Sequence, residues 1–340
     1  MKKKTRHSST LPAVVLVVGE TDEELLLTVV LGQPVWRRQV EKLQLAGVRE
    51  IFWLLPLAAD RLRQAVQEST VGLELTMTVL NQDPKMHPYD NLWTYQSHWG
   101  EQIVLAWGLD MSVSFAYGQL LDWQAPLVVA VQRPATCQRW GQAVVDGRYI
   151  RACGLGKNMQ DYSLLGTYLV GEQFWQTVSG PIFAMRDWWQ AVSEFAAGQV
   201  VKPCEFLPAD QLANQVWQTK KQRQQWLTQL AGQLMNETEA TISTQAVLAS
   251  SVKRSGKVVI AAGAEVADWV QLQGPVYLGS GVQVASFSTI GPDAYLEAGC
   301  MVDSYARVCG QWLPVGTQIK TKIKQEMVLN ESVEKSDIDL

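Results

Sequence analysis

The chain has 340 residues, 47% hydrophobic and 18% charged, with 29 Lys and Arg against 33 Asp and Glu and a formal net charge of −4. That length and apolar content suit two domains with full cores. The lack of a broad basic field argues against nucleic acid as a partner, and no apolar run is long enough for a membrane span.

The basic start, Lys2-Lys3-Lys4 with Arg6, reads as a solvated tail. Residues 13–18 (AVVLVV) are a continuous β-branched and apolar run, expected to form a strand covered on both faces. A signal peptide is not expected. The run is short, and Gly19-Glu20-Thr21-Asp22-Glu23-Glu24 follows it where a small-residue cleavage site would stand. Residues 35–46 (VWRRQVEKLQLA) place Trp36, Val40, Leu43 and Ala46 on one side of a helix, with Leu45 the apolar exception and Gly47 the stop. A strand at residues 51–55, a helix at 57–68 and a strand at 73–80 continue the alternation. Such alternation predicts βαβ units and a parallel sheet.

Further strands are expected at residues 102–107, 127–131 and 163–170. Between them Val144-Val145-Asp146-Gly147-Arg148-Tyr149 reads as a hairpin turned by Asp-Gly. Residues 210–234 read as a long helix packing between the α/β part and the C-terminal third. The fourteen tryptophans suit core and interdomain filling, while Trp93 with Trp99, or Trp188 with Trp189, are alternatives for a pocket or partner surface. The five cysteines (Cys137, Cys153, Cys204, Cys300, Cys309) hold no C-x-x-C pair, so reduced thiols in a cytoplasmic protein are expected.

The C-terminal third carries a six-residue beat. Ile242, Leu248, Ile260, Val266, Leu272, Leu278, Val284, Ile290, Leu296, Val302 and Val308 follow it, with one miss at Arg254. Four residues after each beat stands a small or β-branched residue, from Ala246 and Val252 to Cys300 and Ala306. A double register this short predicts a parallel β-helix in which each hexapeptide makes one flat face, with Gly263, Gly281 and Gly299 at turns. The off-register aromatics Trp269, Tyr277, Phe287, Tyr295 and Tyr305 suit a self-association face. The expected boundaries are an α/β domain over residues 10–235, a β-helix over 241–323 and a mixed-charge tail over 324–340.

Two local matches carry a family resemblance. Gly32-Gln33-Pro34, the following helix and Ala46-Gly47-Val48-Arg49-Glu50-Ile51 are similar to the "GKP…L…AGVREI" segment of the sugar-phosphate nucleotidyltransferases, the NDP-sugar pyrophosphorylases, with Gln33 in place of a lysine. Asp146-Gly147-Arg148, Gly154-Leu155-Gly156-Lys157 and Gly166-Thr167-Tyr168 resemble the hairpin, the lysine-bearing loop and the "GxY" strand of that family's sugar-phosphate side. The inositol-phosphate cytidylyltransferase branch is the version they resemble most. The resemblance spans nearly the whole chain. It implies a Rossmann-like nucleotidyltransferase domain followed by a left-handed parallel β-helix. It also implies a nucleotide or sugar phosphate as ligand, and Mg²⁺ if the chain is active.

Joining a nucleoside triphosphate to a sugar phosphate requires a cradle, charge neutralisation and alignment. The family's loop after its first strand is G-x-G-[ST]-R with a lysine soon after. Here that position reads Gly19-Glu20-Thr21-Asp22-Glu23-Glu24, acidic rather than basic. Each like-charge contact at close range costs on the order of 1 kcal/mol, so a triphosphate should be repelled. The plainer expectation is a solvated turn.

Asp110, in Gly108-Leu109-Asp110-Met111, matches the family's "GD" with one residue inserted and is the candidate metal ligand. Asp210 stands near the expected second carboxylate, and it equally suits a helix N-terminus. One carboxylate makes a poor Mg²⁺ site. Lys157 is either a phosphate ligand or a solvent-facing lysine, and Gly166 belongs to the same sugar-phosphate side. Hexapeptide acyltransferases and carbonic anhydrases use histidines. All three histidines here (His7, His87, His98) lie outside the repeat, so neither chemistry is expected. The expectation is a nucleotidyltransferase-like protein with a degenerate triphosphate loop, non-catalytic and self-associating through the β-helix. An active nucleotidyltransferase is the alternative.

Overall fold

The computed structural model describes residues 12–19, 22–68, 72–86, 90–99, 102–107, 127–132, 142–146, 149–154, 162–177, 204–208 and 220–321. They divide into two compact units, Met1–Arg223 and Gln224–Leu340.

The first unit opens with β1 (Ala13–Val17), every residue of which is buried. α1 (Glu23–Leu26), the two-residue strands β2 (Val29–Val30) and β3 (Gln33–Pro34), and α2 (Val35–Leu45) follow. α2 begins after extended Pro34 and buries Trp36, Val40 and Leu43 as its spacing predicts, while Leu45 is 86% exposed. It stops at Gly47, whose φ of +95° lets the Val48 N–H reach back to the Leu43 carbonyl. β4 (Glu50–Leu55), α3 (Asp60–Glu68) and β5 (Thr76–Asn81) complete two strand–helix–strand units. α3 starts later than the expected residue 57 because Leu57 and Ala58 form a turn after Pro56.

α4 (Asp90–Thr94), β6 (Gln102–Trp107), β7 (Leu127–Gln132), the hairpin β8 (Gln142–Asp146) and β9 (Tyr149–Gly154), β10 (Tyr162–Gly171), α5 (Glu172–Thr177) and β11 (Cys204–Pro208) follow. Among the described residues the sheet order is β5-β4-β1-β6-β10-β7-β11-β9-β8. β5, β4, β1 and β6 are parallel, giving the expected Rossmann-like α/β arrangement. The sheet is not all parallel, however. β10 runs antiparallel to both β6 and β7. β10 also pairs antiparallel with β8, so it runs in the same direction as β9, and the reversal relative to β6 and β7 is made at the β8–β9 hairpin.

The second unit is a coil of short parallel strands on three faces. The first face stacks Val247–Leu248, Glu265–Val266, Gln283–Val284, Met301–Val302 and Gln318–Ile319. The second stacks Lys253–Ser255, Gln271–Gln273, Thr289–Ile290 and Arg307–Val308. The third stacks Val258–Ile260, Val276–Leu278, Ala294–Leu296 and Gln311–Leu313. These ladders fit a left-handed parallel β-helix. Its core takes residues of both sequence registers, such as Leu272, Leu278 and Ile290 with Ala264, Val270 and Cys300. Arg254, the one miss, lies in the first coil and is exposed, consistent with a capping repeat. Leu296 pairs with Leu313, one residue sooner than Leu278 pairs with Leu296, so a residue is missing from the last coil after Val308.

Two corners of the coil differ in kind. Between the third and first faces, glycines (Gly263, Gly281, Gly299, Gly316) take φ values of +66° to +73°. Between the first and second faces the left-handed position holds Trp269, Phe287 and Tyr305, at φ +62°, +63° and +64°. A side chain in that region costs roughly 1–2 kcal/mol per residue.

α6 (Lys220–Glu237) covers the third face with its second-unit residues. Trp226, Leu227, Leu230, Ala231, Leu234 and Met235 are buried at helical spacing. Trp312 anchors the contact: its N–H donates to Thr228 Oγ1 at 3.0 Å, its carbonyl accepts from Gln224 Nε2, and its Nε1 donates to Glu297 Oε1 at 2.9 Å. Tyr277 and Tyr295, on the same face, are 7% and 1% exposed. These two aromatics are therefore internal to the chain and do not contribute to a self-association face. The periodicity marks them as outward-pointing, but α6 lies over them.

Burial, the Asp293 charge and the hydrogen bond from Tyr295 Oη to Asp293 Oδ1 push the Tyr295 phenol from 10.0 up to about 12. Its folded pKa lies above its unfolded value, so its contribution to stability is complete below pH 10 and is lost as pH rises from 10 towards 12. Denaturant melts across that range should show the loss, and Tyr295→Phe should flatten it. An identical pH profile for the variant would show that Tyr295 does not titrate with unfolding.

Candidate functional site

In open α/β sheets, ligands bind beyond the carboxyl ends of the parallel strands. Of these, the ends of β1, β4 and β5 are the ones past which the described chain continues. Gly19 follows β1 by two residues, and the Val18 N–H donates to the Leu54 carbonyl at the end of β4. Gln82, directly after β5, is 7% exposed, and its Nε2 donates to the carbonyls of Val18 and Leu54, both at 2.7 Å. The amide thus ties three strand ends together. Asn91 of α4, 1% exposed, accepts from the Asp83 N–H at 2.7 Å and holds the next stretch of chain in place.

The acidic segment after Gly19 has internal partners. Asp22 is 2% exposed and its Oδ2 accepts from the Gly19 N–H at 3.1 Å, while its own N–H donates back to the Gly19 carbonyl. Glu23 Oε1 accepts from the Leu62 N–H in the first turn of α3 at 2.9 Å, a charge-assisted capping contact. Glu24 Oε2 pairs with Arg223 Nη1 at 3.1 Å, and Arg223 Nη2 also donates to Thr28 Oγ1 at 3.3 Å. Another cation near these strand ends, Arg63, directs its guanidinium to Asn81 Oδ1 and the Pro56 carbonyl.

Of the sequence candidates, Gly19 sits at this edge. Gly166 lies in β10 where the pairing with β7 shifts register between Leu164 and Tyr168, a bulge that a glycine accommodates. β6 separates β1 from β10, so Gly19 and Gly166 are not on neighbouring strands. Asp110, Lys157 and Asp210 lie outside the described residues, as do His87, Trp188 and Trp189. Trp99 is 6% exposed and packs edge-on against Phe52, a core role. Among the described residues no three His, Cys, Asp or Glu side chains gather as a metal site. Gln82, Asn91 and Arg223 escaped sequence reasoning because single polar residues at strand ends and in helices carry no pattern.

No family model and no curated protein matches the chain. Among solved structures, HddC from Yersinia pseudotuberculosis complexed with GMP-PN is similar at 13% identity, over 59% of this chain and 91% of that one, with a TM-score of 0.42. A Bacillus anthracis protein assigned as a glucose-1-phosphate thymidylyltransferase, in complex with a sucrose, is similar at 14% identity, over 59% and 87%, with a TM-score of 0.46. A second HddC structure gives 15% identity over 58% and 90%, with a TM-score of 0.42.

Proposed function

We propose that this chain is a nucleotidyltransferase-like protein that does not catalyse nucleotidyl transfer and serves in binding or assembly, with its β-helix as the assembling part. One observation carries the reading: the Asp22 carboxylate already occupies the Gly19 N–H. A triphosphate cradle needs open backbone donors and nearby cations. At the end of β1 the donor instead faces a buried internal anion, with Glu23 and Glu24 next in the chain. Those two carboxylates cap α3 and pair with Arg223, so the acidic run serves the fold. Asp22 is buried rather than solvated, and its side chain turns back onto Gly19. In this reading Asp110 holds no catalytic Mg²⁺, and any sugar-phosphate contact falls to the Lys157 and Gly166 side.

Cytoplasmic residence belongs to the same proposal. Cys300 and Cys309 are free thiols, and no helix among the described residues is long and apolar enough to cross a membrane.

Thermal melts with Mg²⁺ and each common triphosphate, with and without sugar phosphates, test the reading alongside pyrophosphate release. A ligand at a hundredfold excess over its Kd adds about 2.7 kcal/mol, which would raise Tm by roughly 5 °C or more. The expected result is no saturable shift and no pyrophosphate. A saturable shift with one triphosphate, or pyrophosphate above the blank, would establish the active alternative.

A further inference from the structure

We propose that residues 336–340 dock on the open base of the same chain's coil as an added strand, antiparallel to Lys253–Ser255 and with Ile338 opposite Arg254. The proposal is independent of whether the chain catalyses nucleotidyl transfer.

The base is the rung whose beat residues are Ile242, Leu248 and Arg254. Its floor is open: Ile242 is 39% exposed, Ala246, Leu248 and Val252 are half-buried, and Arg254 is exposed. One rung higher the equivalent Ile260, Ala264, Val266, Val270 and Leu272 are at most 3% exposed.

Backbone direction shows where a further strand attaches. The Lys253 N–H donates to the Val270 carbonyl, and the Ser255 carbonyl accepts from the Gly274 N–H. Alternate residues of a parallel strand bond to the same side, so Arg254 turns its own N–H and carbonyl away from the second coil. Leu248 does the same on the first face, between Val247 and Ala249, whose N–H groups donate to the second coil. Lys253–Ser255 is the edge strand of its sheet among the described residues. An open edge of this kind is a template for pairing with another segment.

Charge and pattern choose the occupant. Lys253 and Arg254 lie in the edge strand and Lys257 follows it. Two end segments lie outside the described residues, 1–11 and 322–340. The first carries Lys2, Lys3, Lys4 and Arg6 and is repelled. In the second, residues 336–340 (SDIDL) alternate polar or acidic with apolar at the period of a half-buried strand. With Ile338 opposite Arg254, Leu340 falls opposite Val252 and Asp339 opposite Lys253. Ile338 and Leu340 then cover the floor, while Asp337 and Asp339 share the outward side with Ser255 and Lys253. Lys335, next in line, meets the corner where acidic Glu237 and Glu239 lead into the coil.

Reach and tethering suffice. The first face has five strands, ending with Gln318–Ile319, so its two ends are about 19 Å apart at the usual strand spacing. Residues 322–330 span up to about 30 Å when extended. A segment tethered this closely meets its site at an effective concentration on the order of millimolar. It therefore needs less area than an interface between free molecules.

Amide hydrogen exchange of the full chain at single-residue resolution tests the docking. Corrected for intrinsic rates, the Arg254 amide should exchange about tenfold or more slowly than the Leu248 amide, because only Arg254 gains a partner. That protection should be the same at low and high protein concentration. Ile338→Pro removes the donor facing Arg254 and should abolish it, with amides of the second and third coils unchanged. Lys253→Asp should weaken the protection, and adding Asp339→Lys should restore it. Equal exchange at Arg254 and Leu248 in the wild type would overturn the docking. Protection that survives Ile338→Pro would show that a different segment covers the edge, which also sinks the proposal. Protection that grows with concentration would put the strand on a second copy and refute the same-chain arrangement. Failure of the charge exchange to restore protection would overturn the antiparallel register.

Discussion

Gly291→Ala should unfold the β-helix at temperatures where the wild type is folded. Gly291 has φ +100°, and a Cβ there would overlap the Gln273 carbonyl oxygen and lie 2.8 Å from both the Gln273 carbonyl carbon and Val276 Cγ2. Gln273 belongs to a stacked strand of the neighbouring coil, and the Gly291 N–H donates to the Val308 carbonyl at 2.7 Å. The clash is therefore with backbone held on two sides, and relief means separating two coils. The expected loss is about 3 kcal/mol or more, from strain and overpacking together. Gly281→Ala is the control. Its φ is +66°, but its Cβ would meet nothing within 4 Å, so only the backbone term of roughly 1–2 kcal/mol remains. Urea melts of the two variants check the difference, and equal midpoints would show that coil spacing is not set by close approach at Gly291.

Trp312→Ala should release the second-unit part of α6 from the coil. Trp312 is 5% exposed and bonds Thr228 and Gln224 through its backbone and Glu297 through its indole. Truncating a buried tryptophan costs about 3–5 kcal/mol. Trp312→Phe keeps the ring but removes one donor from Glu297, a carboxylate that is 0% exposed, and should cost about 1–3 kcal/mol. Hydrogen exchange of the amides over residues 226–235 reports undocking of the helix, and chemical melts give the ranking. If the phenylalanine variant matches the wild type, the indole–carboxylate bond contributes nothing net. If the alanine variant leaves those amides as protected as in the wild type, α6 does not depend on Trp312.

Asp22, Glu23 and Glu24 after β1 show how far the sequence reached at the candidate site. Glu20, Asp22, Glu23 and Glu24 are visibly acidic where the family resemblance calls for base, and repulsion of a triphosphate follows from charge alone. The contact of Asp22 with Gly19 spans only three residues, but that Glu23 caps a helix 39 residues away has no local signature. Partners so distant in the chain meet only when the sheet forms.

Elements whose residues answer to near neighbours are legible in one dimension. α2 is readable because its buried side chains recur with the helix period and Gly47 ends it. The β-helix is readable because each inward position is set by a fixed step along the chain, and the step breaks where one residue is missing after Val308. The tertiary structure alone decided which outward surfaces are covered. Tyr277, Tyr295, Phe287 and Tyr305 are all off the inward register. The first two are buried because α6, which precedes the coil in the chain, lies across the third face, and the last two stay exposed because nothing in the described chain reaches their corner. Likewise β10 runs antiparallel to β6 and β7 because the β8–β9 hairpin has already reversed the chain, and which strands it then joins depends on segments far away in sequence. Periodicity is a local rule and survives in one dimension, whereas coverage and strand direction depend on which distant segments meet.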